Sequence, residues 1–249
     1  MLFRSAAQQE TTRMAWLSRD GTAPDELKAI FVLSTLSVGG SETKTIQLAN
    51  SLFARGVQVA LAYLNPPHSL LKRVHADIPV WYLARKGKFS FSATATLRAL
   101  IREHRPRTVV AVNLYPALYV AAATAGLSAR PRTVGLVNTT VFRPGEQWQQ
   151  QFYRPVLRTL DWSVYGCEAQ RSLWLSGKGS MVRRSCVIYN GVDAERFCSS
   201  DSHDIVEQRR RYGIGAHAFV VGTVGRLAPE KNQQALIDAL AREIGRAHV

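Results

Sequence analysis

Strands and helices alternate along this chain, and the alternation predicts an α/β protein built on a parallel sheet. Two observations support this prediction. The predicted strands are short and apolar along their whole length, as in parallel sheets covered by helices on both faces. The segments between them carry apolar residues at helical spacing and are set off by glycine, proline and polar turns. Ligands of such sheets bind outside the carboxyl ends of the strands.

The first predicted strand, 29–35, leads through a glycine-containing turn into a helix that starts near Ser41. Ile46, Ala49 and Phe53 fall on one face of this helix, and Gly56 is placed to end it. Further strands are predicted at 57–64, 78–83, 108–113, 133–138, 162–166, 185–189 and just before Gly225, and helices at 93–104, 116–127, 146–160, 168–176 and 231–240. The predicted ligand-binding edge consists of the loops after residues 35, 113, 138, 189 and 224.

One segment is long enough to cross a membrane, since residues 108–129 contain no charged side chain. Asn113 and Pro116 interrupt it, and Val109–Val112 is β-branched in three of its four positions, like a buried strand. A strand, a turn and a packed helix therefore explain the segment better than a membrane helix.

The composition is that of a globular protein with a large excess of positive charge. Its 249 residues include 32 Lys and Arg against 18 Asp and Glu, a net charge of +14. Such an excess favours phosphorylated ligands, polyanions or an anionic membrane surface, and a basic surface without a specific partner is equally compatible. The three cysteines have no metal-ligand spacing, and residues 1–28 form a polar leader without the apolar segment of a signal peptide. We expect a cytoplasmic protein.

The loop after the first strand contains the pair Gly39 and Gly40, followed by Ser41 and Glu42. Paired glycines let the backbone approach a ligand closely, and the N-terminus of the next helix attracts anions. A plain turn is the alternative, with Ser41 as helix cap and Glu42 as a favourable first-turn acid.

Two cations, Arg226 and Lys231, follow the last predicted strand and flank Pro229, which suits an early helix position. We expect Arg226 in the loop and Lys231 in the first turns of the helix. A cation there opposes the helix dipole, which indicates a role beyond structure. Together the two cations are suited to a diphosphate, although solvated surface charges would have the same sequence.

Three segments carry a family resemblance. Gly39–Glu42 resembles the GG-x-E loop of the family 4 glycosyltransferases, which have the two-domain GT-B architecture. Val187–Phe197 is similar to their V-I-x-N-G-V-D-x-x-x-F segment at the domain junction, and 225–231 to their G-R-L-x-x-E-K segment. The motifs occur in the family's order and span about 29–240. The resemblance implies a Rossmann-like N-terminal domain followed by the first β-α unit of a second Rossmann-like domain.

The resemblance also implies an activity. A sugar would pass from a nucleotide-diphosphate sugar to a glycan or lipid-linked acceptor, with retention at the anomeric carbon and without a metal or other cofactor. This is the chemistry of cell-envelope polysaccharide synthesis. By resemblance, the donor diphosphate is bound by Gly39, Gly40, Arg226 and Lys231, the last two also being catalytic, and the hinge is shaped by Asn190, Gly191 and Asp193.

The sequence departs from the family pattern in two places. Many members have a histidine after a mid-domain strand, whereas Asn113 and Asn138 end the corresponding strands here. Asparagine can bind a sugar hydroxyl but cannot transfer protons, so these two residues are candidate acceptor or sugar contacts, with turn capping as the alternative. The family's E-x-F-G-x-x-x-x-E motif does not occur in the sequence. We therefore expect an inactive fragment.

The predicted organisation has five parts. They are the leader 1–28, an acceptor-side domain 29–197, a connection 198–216, the start of a donor-binding domain 217–242 and a non-native tail 243–249.

Two other interpretations concern the basic charge. A basic and aromatic stretch would suit an anionic membrane surface, although an ordinary packed helix explains it as well; it comprises Arg143, Trp148, Phe152, Tyr153, Arg154 and Arg158. A non-enzymatic module that binds nucleic acid or another polyanion is the alternative function, but no nucleic-acid motif or concentrated basic stripe supports it, and no nucleic acid partner is expected.

Overall fold

The computed structural model describes residues 27–87, 89–138, 148–176, 184–192, 194, 202–225, 227 and 231–246. The chain divides into two compact units, Met1–Gly191 and Val192–Val249, called here the first and second units. Most of the predicted leader, residues 1–26, lies outside the described residues. Leu27 is buried in the core and Lys28 donates a backbone hydrogen bond to Gln58, so packing begins before residue 29.

The first unit is built on a single sheet of seven parallel strands. They are β1 (Ala29–Leu33), β2 (Val59–Tyr63), β3 (Val80–Tyr82), β4 (Thr108–Val112), β5 (Arg132–Val137), β6 (Trp162–Tyr165) and β7 (Ser185–Val187). Their order across the sheet is β3-β2-β1-β4-β5-β6-β7, and every neighbouring pair is parallel. The predicted fold class, a Rossmann-like parallel sheet, is confirmed.

Helices connect these strands as the sequence predicted. They are α1 (Gly40–Ala54), α2 (Phe91–His104), α3 (Leu114–Thr124), α4 (Trp148–Thr159) and α5 (Glu168–Leu175), with a short 3-10 turn at Leu71–Arg73. Helix α1 ends where predicted, because Gly56 adopts a positive φ of 76° and donates its N–H to the Phe53 carbonyl.

Apolar side chains cover both faces of the sheet. Alternate residues of β1 point to opposite sides, so that Phe31 and Leu33 pack with Ile46 and Ala49 of α1. On the other face Ile30 and Val32 pack with residues of α2, α3 and α4, among them Leu97, Val120 and Leu157. Fully burying an aliphatic side chain of this size stabilises the fold by about 1.5–3 kcal/mol.

The uncharged segment after residue 108 folds as strand β4 and helix α3, as the sequence predicted. Helix α3 packs along the sheet, with Ala117, Val120 and Ala123 fully buried. Among the described residues, no helix has the length and apolar character needed to cross a bilayer.

Helix α4 is for the most part a packed helix. Tyr153 and Val156 pack against the core, and Arg154 donates hydrogen bonds to the carbonyls of Leu173 and Ser176 beyond the next strand. Trp148 is 62 % exposed and Phe152 42 % exposed, which leaves one aromatic edge of the helix open to solvent. Arg143, from the same predicted stretch, lies outside the described residues.

The second unit contains helices α6 (Ser202–Arg211) and α7 (Gln233–Arg246). Helix α6 occupies a stretch for which the sequence predicted only a connection. The predicted strand before Gly225 forms no ladder with any described residue, and Phe219 is 93 % exposed. A strand needs a partner for its backbone groups, so the β part of the predicted β-α unit is absent among these residues, whereas its helix is present.

Helix α7 begins at Gln233, so the prediction that Lys231 lies in its first turns was wrong. Asn232 has a positive φ of 48° and separates Lys231 from the helix. The helix continues to Arg246, into the stretch predicted as a tail. A shallow cavity of about 270 Å³ between α6 and Val220 contains none of the predicted site residues.

A partly exposed carboxylate links the start of β6 to β5. Asp161 accepts hydrogen bonds from the N–H and the hydroxyl of Thr133, at 2.8 and 2.9 Å, and from Arg130 at 3.1 Å. Burial by itself would raise the pKa of Asp161, but these hydrogen bonds and the charge of Arg130 together lower it below its usual value.

We predict that Asp161→Ala lowers the free energy of unfolding by about 2–3 kcal/mol, because it leaves the Thr133 and Arg130 donors without their acceptor. The lowered pKa of Asp161 also determines how its contribution to stability depends on pH. The carboxylate stabilises the fold above its unfolded-state pKa, and this contribution disappears as the pH falls through the folded-state pKa. Urea denaturation at neutral and successively lower pH should show the difference from the parent shrinking.

The matched control is Asp77→Ala, which removes an acid that is 70 % exposed and should change the stability little. An Asp161→Ala deficit that stays constant down to the lowest pH would contradict the assigned role of the carboxylate.

Candidate functional site

The carboxyl ends of the strands form the edge at which the candidate site lies. Helix α1 follows β1 onto one face of the sheet, and α3 follows β4 onto the other, although β1 and β4 are neighbours. The connections thus diverge between these two strands, which is the position where open α/β sheets bind ligands. The loop 34–39 and Asn113 flank this position.

Four polar side chains from different elements meet at this edge and are called here the lysine cluster: Lys44, Asn113, Asn138 and Asn190. The Lys44 Nζ donates to the Oδ1 atoms of Asn138 at 2.9 Å and of Asn190 at 2.8 Å. Asn138 in turn donates from Nδ2 to the Oδ1 of Asn113 at 3.0 Å. The two predicted sugar contacts, Asn113 and Asn138, are therefore in direct contact with each other.

Lys44 is half-buried and held by neutral groups. Burial lowers the pKa of its ammonium below the usual value, because desolvation disfavours the charged form. Within the described part of the chain, no carboxylate lies within ion-pair distance of Nζ. An ammonium has three donors, and the two asparagine oxygens accept from only two of them.

Asn113 has a strained backbone. Its φ of 74° and ψ of 175° lie in a region that is almost restricted to glycine. Its N–H donates to the Leu136 carbonyl at 2.8 Å, which holds this conformation at the end of β4. Strain of this kind costs about 1–3 kcal/mol and persists where the surroundings impose it, often at ligand-binding sites.

The paired glycines lie at the start of α1, one turn before Lys44. Gly39 precedes the helix, and a Cβ added there would collide with the flexible Glu42 carboxylate. A Cβ added at Gly40 would meet nothing within 4 Å and would point into open space. A ligand can therefore approach the backbone of Gly40 closely.

Two of the three predicted hinge residues, Asn190 and Gly191, lie at the end of the first unit. Asn190 and Gly191 follow β7, and the contact of Asn190 with Lys44 ties this segment to α1. Asp193 lies outside the described residues.

A second group of polar side chains, called here the arginine cluster, lies at the ends of β2, β3 and β4: Asn65, Arg85, Tyr115 and Tyr119. The Arg85 Nε donates to the Asn65 Oδ1 at 2.9 Å, and its Nη1 donates to the Tyr115 hydroxyl. The guanidinium also lies 5.0 Å from the centre of the Tyr115 ring, in cation–π contact.

Tyr119 connects the arginine cluster to the start of α2 through Ser90. Its hydroxyl accepts a hydrogen bond from the Ser90 N–H at 3.2 Å and lies 3.4 Å from that of Tyr115. Burial, helped by the hydrogen bond to Tyr115, raises the pKa of Tyr119 to about 12. The phenol thus remains neutral at physiological pH and serves as a fixed support for Tyr115.

The remaining predicted residues belong to the second unit. Lys231 is exposed, and its aliphatic chain lies beside Gly225, where an added Cβ would be 3.6 Å from its Cγ. Arg226, the other predicted catalytic cation, lies outside the described residues. The assignment of both cations to the donor diphosphate stays a prediction.

The sequence analysis missed Lys44 and Arg85. A signal for Lys44 was available, because it is a cation near the N-terminus of a helix that follows a glycine loop, the same argument that singled out Lys231. Arg85 carried no local signal, since its partners come from two other strand ends.

A comparison with protein families identifies the class to which the chain belongs. The family model described as Glycosyltransferase Family 4 matches residues 38–196, more than half of the 249-residue chain. The chain therefore belongs to glycosyltransferase family 4. No curated protein matches it.

Solved glycosyltransferase structures share the fold. The crystal structure of Anabaena HepE with UDP and glucose superposes with a TM-score of 0.69 at 23 % identity, covering 87 % of this chain and 58 % of HepE. HepE with UDP-glucose gives 0.66 at 24 %, covering 86 % and 57 %. A Rickettsia africae glycosyltransferase gives 0.61 at 15 %, covering 77 % and 51 %. The chain thus spans a little over half the length of these proteins.

We predict that Asn113→Gly is more stable than Asn113→Ala by about 1 kcal/mol, because both lack the amide but only alanine has a Cβ that opposes the positive φ. Chemical denaturation of the two variants measures the difference.

The control pair is Gln47→Gly and Gln47→Ala, at an exposed position inside α1, where alanine should be the more stable by about 1 kcal/mol. If alanine were the more stable at both positions, Asn113 would not be strained.

Proposed function

We propose that the whole protein transfers a hexose from a nucleotide-diphosphate sugar to a glycan or lipid-linked acceptor, with retention at the anomeric carbon and without a required metal. The main support is that the lysine cluster lies at the position where the connections after β1 and β4 diverge, in a member of glycosyltransferase family 4. Cell-envelope polysaccharide synthesis, in the cytoplasm or at the inner face of the membrane, is the proposed setting.

The proposed chemistry is electrostatic. As the bond between sugar and diphosphate breaks, negative charge grows on the departing nucleotide diphosphate. Arg226 and Lys231 would neutralise this charge, and fixed cations stabilise the transition state more than the ground state. Gly39 and Gly40 would allow the backbone of the α1 start to approach the same diphosphate.

On the acceptor side, we assign the sugar hydroxyls to Asn113 and Asn138, whose amides offer both donors and acceptors. Asn190, Gly191 and Asp193 would form the hinge. HepE was crystallised with UDP-glucose, which makes that nucleotide sugar the first donor to test. The family assignment favours a transferase over a non-enzymatic module that binds polyanions.

We predict that Arg226→Ala and Lys231→Ala each weaken the binding of UDP to this chain about tenfold, because each removes a cation with charge-assisted hydrogen bonds to the diphosphate. Titration calorimetry with UDP and with uridine should show the loss for UDP alone.

Arg242→Ala is the control, since Arg242 is exposed on α7 and its removal changes the net charge equally. Parental UDP affinity in both test variants would show that the assigned roles are wrong.

We further predict that Gly40→Val keeps the unfolding temperature of the parent but weakens UDP-glucose binding. The new side chain would enter open space rather than the protein core, and so would occupy the path of the ligand. Thermal unfolding with and without UDP-glucose measures both properties.

Gly215→Val serves as its control, because a Cβ at Gly215 makes only an ordinary contact with Ala218. Equal ligand-induced shifts in parent, control and Gly40→Val would place the donor away from the glycine loop.

A further inference from the structure

The ammonium of Lys44 has no carboxylate partner among the described residues. It lies at the carboxyl edge of the sheet, one turn beyond Gly40, and its partners are two neutral amide oxygens, those of Asn138 and Asn190. Its charge is therefore positioned by the protein but not neutralised by any described residue. The described residues accept from two of its three donors, which leaves the third for a ligand.

The surroundings fix the direction of this donor. Asn138 is held in turn by Asn113, whose strained backbone is set by β4 and β5. Asn190 follows β7, so that α1, β4, β5 and β7 all contribute to the position of Nζ. A flexible surface lysine has no such support and would lose more conformational entropy on binding an anion.

The chemistry of the preferred ligand follows from charge. A half-buried cation gains most from a group that brings a full negative charge and several acceptor oxygens. A phosphate has both, whereas a neutral sugar hydroxyl would leave the charge uncompensated.

We propose that Lys44, held by Asn138 and Asn190, binds a phosphate group of a substrate at the carboxyl edge of the first unit. This inference rests on the proposed function and deepens it, because it adds a cation of the first unit to the substrate site. Two sources carry this chemistry: the diphosphate of the donor and a phosphate on a lipid-linked acceptor.

The experiment compares Lys44→Met with the parent by titration calorimetry at low salt. The donor probes are UDP and uridine, and the acceptor probes are geranyl phosphate and geraniol. We expect the substitution to weaken one phosphate probe about tenfold and to leave uridine and geraniol unchanged. Lys72→Met, which removes an exposed lysine from the turn Leu71–Arg73, should bind every probe within about twofold of the parent.

Stability separates binding from folding. Because burial disfavours the charge of Lys44, Lys44→Met should melt at or above the temperature of the parent. Lys44→Gln is a second neutral variant that keeps a donor toward the asparagine oxygens, and it should show the same loss of phosphate binding. A loss confined to variants that melt early would overturn the proposal.

The outcomes are distinct. Weakened UDP binding assigns the donor diphosphate, and weakened geranyl phosphate binding assigns the acceptor phosphate. If the parent binds UDP, and the Lys44 variants bind UDP and geranyl phosphate as tightly as the parent does, the inference fails while the proposed function survives. If geranyl phosphate needs Lys44 but UDP does not bind the parent, the inference holds and the proposed donor is lost. A parent that binds neither phosphate overturns the inference.

Discussion

The parallel direction of all seven strands is the constraint on which the rest of this structure depends. Because the strands of the first unit end at one edge, the residues that follow them are brought together whatever their separation in sequence. Lys44 and Asn190 are 146 positions apart, yet their side chains are 2.8 Å from each other. The divergence of α1 and α3 to opposite faces then opens the edge between β1 and β4. The apolar packing on both faces of the sheet makes this geometry rigid.

The same edge concentrates features that reduce stability. Asn113 has a backbone conformation that favours glycine, and Lys44 is a half-buried cation with neutral partners. Neither feature helps the fold, and both are supported by hydrogen bonds that run along the lysine cluster. By contrast, the opposite end of β5 has a fully compensated carboxylate, Asp161, with donors from Thr133 and Arg130. Asp161 thus has its hydrogen-bond donors within the protein, whereas Lys44 has no described partner of opposite charge. Local features that reduce stability in this way are typical of binding sites.

The net charge of +14 accounts for a general attraction of anions but not for the selection of a particular one. A basic surface attracts many anions, but selection needs a cation at a fixed position with a donor available. Lys44 has this geometry in the first unit. Arg85 is also held in position, by a hydrogen bond to Asn65 and a cation–π contact with Tyr115.

The sequence by itself determined the order and type of the main elements, because apolar periodicity is a local property of the chain. It also placed Asn113 and Asn138 at strand ends, and Gly39 and Gly40 beside a helix start. It missed α6, whose residues are mostly polar, and it predicted a strand before Gly225 that has no partner among the described residues. Only the tertiary structure revealed the contacts of Lys44 and Arg85, because their partners follow other strands. A hydrogen bond between residues 94 positions apart, such as that from Lys44 to Asn138, depends on sheet order, which no local pattern encodes.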